Sequence, residues 1–532
     1  MKRIFIVLFL SCSFISSGQP PTLGLVLSTD SVSGGYTLFS PDDRGEVYLI
    51  DNCGKVINSW FFNEPPGLTS YLLENGNLLF AGKDSLYIRD WNDNEVWTYA
   101  AAANGVSQHH DIEPLPNGNV LCVVTEPKTP NEQTLSGKDP ALLAPNFKLD
   151  FILELEPVGV TDVNVVWEWH FWDHLVQEYD STKLNYGIVV DHPELIHFNF
   201  DQGNSSDWTH VNSVDYNETL DQILISGRQM GEIYIIDHST TTNEAASHTG
   251  GNSDRGGDFL WRWGNPQVYQ QGSVADQKLF GQHDAKWVEG GYLHDGKISV
   301  FNNGGDGSFN FSSIHLIEPE MNGSEYLMSN NQFTPSDFYY TWTDVIQGDV
   351  LLSDIKSGVK ALSNGGFLIC ETQLGRFIEI DADGNVVWMY KNPMGGGVVY
   401  SQFDILTEGD NTAFRADKYL PDYPGILANT LTVQSIIENE NSLSNNCTDY
   451  TVIEENELHI GVVNPVQNGQ ITFIEPIFEG SILLMNLQGK LVKHWDASLE
   501  EHYSVREIPD GIYLLNIVEN DIVHSQRIII SN

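Results

Sequence analysis

One pattern recurs through most of the chain: a β-rich run, a turn of Asp, Asn or Gly, then a short run ending in tryptophan. It appears as YLIDNCGKVINSW to Trp60, LYIRDWNDNEVW to Trp97 and FILELEPVGVTDVNVVW to Trp167. Longer copies run to Trp261 and Trp342, and FIEIDADGNVVW closes the series at Trp388. Several copies follow a second hairpin with its own turn, as in LLENGNLLF, PLPNGNVLCVV and ALSNGGFLI. Two consecutive hairpins make a four-stranded sheet, and radial repetition of such sheets is a β-propeller. The six tryptophans are then expected as packing between blades. No long stretch carries sustained 3.6-residue apolar periodicity, whereas β-branched and aromatic runs are frequent. The expected fold is therefore all-β: a six-bladed β-propeller over residues 19–430, with insertions around 126–150 and 170–208, followed by a small β-sandwich. DADGNVVW lacks the sixth-position Gly and the closing Glu of a calcium loop and reads as a hairpin turn.

Both ends depart from the repeat. In MKRIFIVLFLSCSFISSGQ, Lys2 and Arg3 precede an apolar run from Ile4 to Leu10 and a small, polar stretch, the pattern of a secretory signal peptide over residues 1–18. A lipoprotein acylated at Cys12 is the other reading of this end. No later stretch approaches the roughly 18–20 apolar residues of a membrane-spanning helix. From Leu431 the chain turns polar and acidic without repeat, so residues 431–457 read as a linker. Residues 458–532 return to short strands, VVNPVQNGQITF, ILLMNLQGKLV, IPDGIYLLNIV and HSQRIIIS, enough for the β-sandwich.

The chain holds 26 Lys and Arg against 72 Asp and Glu, a formal net charge of −46. Such a surface repels nucleic acid and anionic lipid, and any anionic substrate requires a local cationic pocket. Beyond the leader the cysteines are Cys53, Cys122, Cys370 and Cys447. They allow three complete disulfide pairings, or remain free buried thiols, and no CxxC suggests a metal cluster.

The histidines fall on the repeat in a regular way. Eight residues before the turn glycine of successive inner hairpins stand Leu68, His110 and Ser357; His283 lies seven or eight before Gly290-Gly291, and His210 begins the equivalent strand. Three consecutive repeats thus carry His where the flanking ones carry Leu or Ser, and strand starts in a propeller border the central channel. Asn212 lies two residues beyond His210 on the same strand face, and a hairpin returns Arg228 beside His210. A guanidinium near imidazoles and a carboxamide suits a tetrahedral oxyanion such as sulfate or phosphate. A metal site of His110, His210 and His283 with Asp111 or Asp284 is a competing reading, as is a non-catalytic surface-binding propeller.

The segments HHDIEPLPNGNVL, HVNSVDYNETLDQILISGR, GDFLWRWGNP, GQHDAKWV and NTAFRADKYLPDYPG resemble blade motifs of the bacterial, nucleotide-independent aryl-sulfate sulfotransferases, over roughly residues 40–430. That resemblance implies a transferase taking an aryl sulfate donor and a phenolic acceptor, without cofactor or metal, by a ping-pong route through a sulfohistidine. By motif His283 matches the nucleophile, and His210, Asn212 and Arg228 match groups holding the sulfuryl oxygens. One of His109 and His110 matches the remaining histidine; register with His283 favours His110, leaving His109 as a substrate-binding neighbour. Aryl sulfate ester hydrolysis on the same scaffold is the alternative. Familiar members carry an N-terminal β-domain and a cysteine pair near the catalytic region, and neither is legible here. The tail, with Asn464-Pro465, Gly469, NLQGKLV, IPDGIYLLNI and Arg527, resembles the C-terminal sorting domain of Bacteroidetes type IX secretion. It implies the secretion machinery as a partner and a secreted or outer-surface location.

Overall fold

The computed structural model describes residues 21–200 and 206–439, together with the strands and short connections of the tail at 470–473, 481–485, 491–496, 502–509, 511–519 and 522–530. Contacts divide the chain into two compact units, residues 1–447 and 448–532. The leader expected over residues 1–18, most of the linker and Cys447 lie outside the described residues.

The first unit is a propeller of six four-stranded antiparallel blades. Blades 2, 3, 4 and 6 take consecutive strands, starting at Pro66, Gln108, Val211 and Gly358. Blade 5 inserts two small two-stranded ladders before its outer strand, Tyr340–Trp342. Blade 1 closes the ring: its inner strand, Ala413–Tyr419, comes from the far end of the unit and pairs with Tyr36–Pro41. A second clasp comes from Gly24–Ser28, which adds a fifth strand to the outer edge of blade 6.

The repeat tryptophans explain why the blades stack. Each sits buried on the fourth strand of its blade, and each indole N–H donates to the next blade round the ring. Trp60 reaches the Asp90 carbonyl at 2.9 Å, Trp97 that of Asp162 at 3.0 Å and Trp167 the Thr240 hydroxyl at 3.2 Å. Trp261 reaches the Thr334 carbonyl at 2.8 Å, Trp342 that of Gly384 at 3.0 Å, and Trp388 completes the circle on Asn52 at 2.8 Å. A buried indole needs a partner for its single donor, and at these six positions the neighbouring blade supplies it.

One expectation changes. Residues 431–439, read as linker, are bound to the propeller: the Ser435 carbonyl accepts from Val56 N at 3.1 Å, and Gln434 N donates back to the Val56 carbonyl at 2.8 Å. Of the cysteines, Cys53 is disulfide-bonded, whereas Cys122 and Cys370 are free and buried. The expected insertions contribute to the core, with Phe147, Phe171, Leu175, Ile196, Phe198 and Trp208 packed against blades 3 and 4.

In the second unit a four-stranded sheet, ordered 491–496, 481–485, 511–519 and 522–530, accompanies a two-stranded one of 470–472 and 502–504. Ile482, Leu484, Leu515, Ile517 and Ile528 of the first share a core with Ile471 and Tyr503 of the second, making a small sandwich.

Candidate functional site

The inner strands do not start straight. Leu68, His110, His210, Asp284 and Ser357 hold φ of 118°, 62°, 46°, 56° and 76°, one at the head of the inner strand in each of blades 2 to 6. In blades 2 to 5 the ladder register slips at this point, and in blade 1 it slips at Phe414 and Arg415. A bulge turns its side chains away from the pleat. Repeated round the ring, it aims one or two residues per blade at the axis.

This register corrects the counting argument for His110. The positive-φ residue of blade 5 is Asp284, so His283 stands one place earlier than His110 and His210 and aligns with His109. Both residues of the His109-His110 pair reach the same cluster. Ring centroids of His109 and His110 lie 4.2 Å apart, and those of His110 and His210 4.8 Å apart.

Each imidazole has a distinct setting. His109 donates through Nδ1 to Asp150 at 2.6 Å, and His210 through Nδ1 to Asp207 at 2.7 Å, so both turn Nε2 the other way. Burial pushes Asp207 up, but its bond to His210 and the charges of His210, His109 and Lys148 together outweigh that and leave the carboxyl below its ordinary value. Asp150 also holds blade 3 to blade 4, accepting from Val211 N at 2.8 Å and the Thr209 hydroxyl at 2.6 Å. His110 has no hydrogen-bond partner at either nitrogen among the described residues and stacks on Phe414, rings 6° from parallel. Burial, reinforced by the nearby His109, His210 and His283, holds it well below the ordinary histidine value.

His283 is buried, 3% exposed. Its Nδ1 meets Asn303 Oδ1 at 2.8 Å, and the Asn303 amide is fixed by donating to the carbonyls of Ser353 at 2.7 Å and Lys356 at 3.0 Å. Nδ1 therefore carries the proton and Nε2 the lone pair, which accepts from Lys356 N–H at 3.2 Å. Burial lowers this histidine to about 3, against the Asn303 bond and helped by Arg228, so the ring is neutral at ordinary pH.

Arg228 is half-buried, and its backbone N–H donates to the His210 carbonyl at 3.1 Å, the hairpin return expected from sequence. Burial lowers its pKa, with Asp207 and Asp354 opposing. Its guanidinium makes no ion pair among the described residues. Gly281, at φ 67°, lies beside it: a Cβ there would be in ordinary contact, 3.8 Å from Nη2.

Asn212 is fully buried; its amide N–H donates to the Gln282 carbonyl at 2.7 Å, bracing the residue before His283, and its Oδ1 has no hydrogen-bond partner among the described residues. The competing metal set also changes. Asp111 and Asp284 serve Arg415, at 3.0 and 2.8 Å, and latch neighbouring blades through Val214 N and Val359 N. The histidine atoms within 4.8 Å of one another are those of His109, His110 and His210.

Sequence reasoning missed the charged cluster that gathers around Asp111 and Asp284. Arg415, Asp111, Asp284, Tyr71 and Lys286 form a buried charged plug, with Lys286 donating to Glu113 at 2.6 Å and to the Val214 carbonyl at 2.7 Å. Phe414 and Arg415 lie in NTAFRADKYLPDYPG, but only ring closure brings that strand to the axis.

The family model for Arylsulfotransferase (ASST) matches residues 23–377. The chain belongs to the arylsulfotransferase family. The match takes in His109, His110, His210, Asn212, Arg228 and His283, and a second model, the Secretion system C-terminal sorting domain, matches residues 464–531. No curated protein matches. Among solved structures, a protein of unknown function from Bacteroides caccae is 13% identical, covering 72% of this chain and 99% of its own, with a TM-score of 0.40. A streptogramin B lyase is 11% identical, over 71% and 85%, with a TM-score of 0.35. The virginiamycin B lyase of Staphylococcus aureus is 11% identical, over 70% and 89%, at 0.33. Membership of this family makes the enzyme a sulfotransferase at family level, and the sorting domain marks it for secretion or display at the cell surface.

Proposed function

We propose that this arylsulfotransferase moves a sulfuryl group from a phenolic sulfate ester to an acceptor phenol through a sulfohistidine on His283. One observation carries the reading: a neutral imidazole with a fixed Nδ1 proton lies beside a guanidinium that makes no ion pair among the described residues. In the first step the Nε2 lone pair attacks sulfur, the bond from sulfur to the aryl oxygen breaks, and its electron pair leaves with the phenoxide. Lys356 N–H releases the lone pair and is then placed to donate to a sulfuryl oxygen. The charge gained by the ring is spread toward Asn303 through Nδ1–H. In the second step the acceptor phenol attacks, the sulfur–nitrogen bond breaks, and the pair returns to Nε2. Splitting the transfer gives two easier steps and ping-pong kinetics.

His109 and His210, each backed by a carboxylate, are suited to protonate the leaving phenoxide and to accept the proton of the incoming phenol. Arg228 and the neutral His110 are suited to the developing charge on the sulfuryl oxygens. Asn212 acts through Gln282 as a positioning residue. No step calls on a nucleotide or a metal. The signal peptide and the sorting tail together serve export through the type IX machinery to the cell surface or medium.

The test is incubation with a chromogenic aryl sulfate, with and without added phenol. Expected are sulfated phenol in the products, parallel double-reciprocal plots, and an added sulfuryl group on the His283 peptide. Release of inorganic sulfate unaffected by phenol selects the hydrolase reading. A second reading, a metal hydrolase, draws on the close approach of His109, His110 and His210. It requires loss of activity on chelation, which sulfuryl transfer through His283 does not.

A further inference from the structure

Away from the cluster at the axis, the structure assigns a zinc site to His174, His248 and Asp258. His174 ends a short turn, Phe171–His174, in the insertion after blade 3. His248 and Asp258 lie in the long connection between the third and outer strands of blade 4. His174 Nδ1 and His248 Nδ1 both point at Asp258 Oδ1, each at 2.8 Å. The three atoms lie within 4.8 Å of one another.

The setting is that of a ligand sphere with its outer shell in place. His174 anchors Nε2 on the Ala245 carbonyl at 2.8 Å and turns Nδ1 to Asp258 and His248, where an ion would displace the Nδ1 proton. Metal-binding histidines characteristically anchor their second nitrogen in this way. The ring is fully buried and stacks on Trp169, 7° from parallel, while the Trp169 indole donates to the Gly257 carbonyl at 2.7 Å. Gly257 leaves His174 its place, because a Cβ there would lie 2.6 Å from Nε2. The His248 side chain is 60% exposed, which gives an ion a path from solvent and lets the ring move. Tetrahedral zinc at about 2.0–2.1 Å from nitrogen and oxygen requires ligand atoms roughly 3.3–3.5 Å apart, so the triad needs to open by about 0.5–0.7 Å. Two imidazoles and one carboxylate select zinc over calcium or magnesium, and water completes the four. The ion would tie the blade 3 insertion to the blade 4 connection, a staple with no residue in common with the sulfuryl-transfer site.

The full chain, stripped with a chelator and dialysed against zinc chloride or calcium chloride, tests this through bound metal by mass spectrometry and through thermal unfolding. Expected are about one zinc per chain, no calcium, and a rise in melting temperature of about 5 °C. His248→Ala, at an exposed position, and Asp258→Asn should each lose the zinc and the thermal shift, while His210→Ala keeps both. Absence of bound zinc in the wild type overturns the site, as does full zinc content in His248→Ala; loss of zinc in His210→Ala would place it in the axial cluster instead.

Discussion

His283 and His315 are both lowered to about 3 by burial, and His197 to about 4. The unfolded chain takes up protons at these residues near the ordinary histidine value of about 6.5, and the folded chain does so only well below it. Stability contributed by keeping them neutral is therefore present above about pH 6.5 and is lost as pH falls toward 3–4. His315 is outside the site, its Nε2 against Ser313 and its Nδ1 against Thr341, so His315→Gln isolates the effect. The difference in stability between this variant and wild type should narrow by a few kcal/mol between pH 7 and pH 4, read by denaturant unfolding; a constant difference contradicts it. Asn212 gives the second prediction at this scale. Because it braces Gln282, Asn212→Ala should lower kcat about tenfold or more while KM for the aryl sulfate stays within about twofold. A rise in KM with kcat unchanged would put the amide in contact with substrate.

Among the elements, the tryptophan-ended outer strands were the most legible feature in the sequence, because a buried indole needs both area and a donor partner and so recurs with the blade. Trp388 spans the junction between blades 6 and 1, where the ring closes. Trp388→Ala should cost about 3–5 kcal/mol, and Trp388→Phe, which keeps most of the area but loses the bond to Asn52, clearly less. Equal losses would show that the hydrogen bond, not the packing, joins the blades. The inner strands were legible only in part. Counting back from turn glycines found Leu68, His110 and Ser357, all of which hold positive φ. It missed the one-residue offset of blade 5, because a bulge adds a residue without any composition signal. The same blindness hid the slip between Val211 and Ser213, at Asn212.

For the whole molecule, six sheets and their order followed from the repeat, whereas closure did not, since strand pairing between Tyr36–Pro41 and Ala413–Tyr419 leaves no local trace. That closure delivers Phe414 to His110 and Arg415 to Asp111 and Asp284. A chain ending at residue 447 should therefore fold and turn over aryl sulfate like the full chain, and one ending at residue 412 should lose cooperative unfolding and activity together. Equal behaviour of the two would remove the clasp from the account. The central claim concerns one atom, Nε2 of His283. Its most direct test is rapid quenching of the enzyme with a chromogenic aryl sulfate and no acceptor, followed by mass analysis of the peptides containing His283 and His110. The account predicts a burst of phenol near one per site and a sulfuryl group on the His283 peptide, absent from His283→Ala along with turnover. A sulfuryl group on the His110 peptide, or full turnover by His283→Ala, would contradict it.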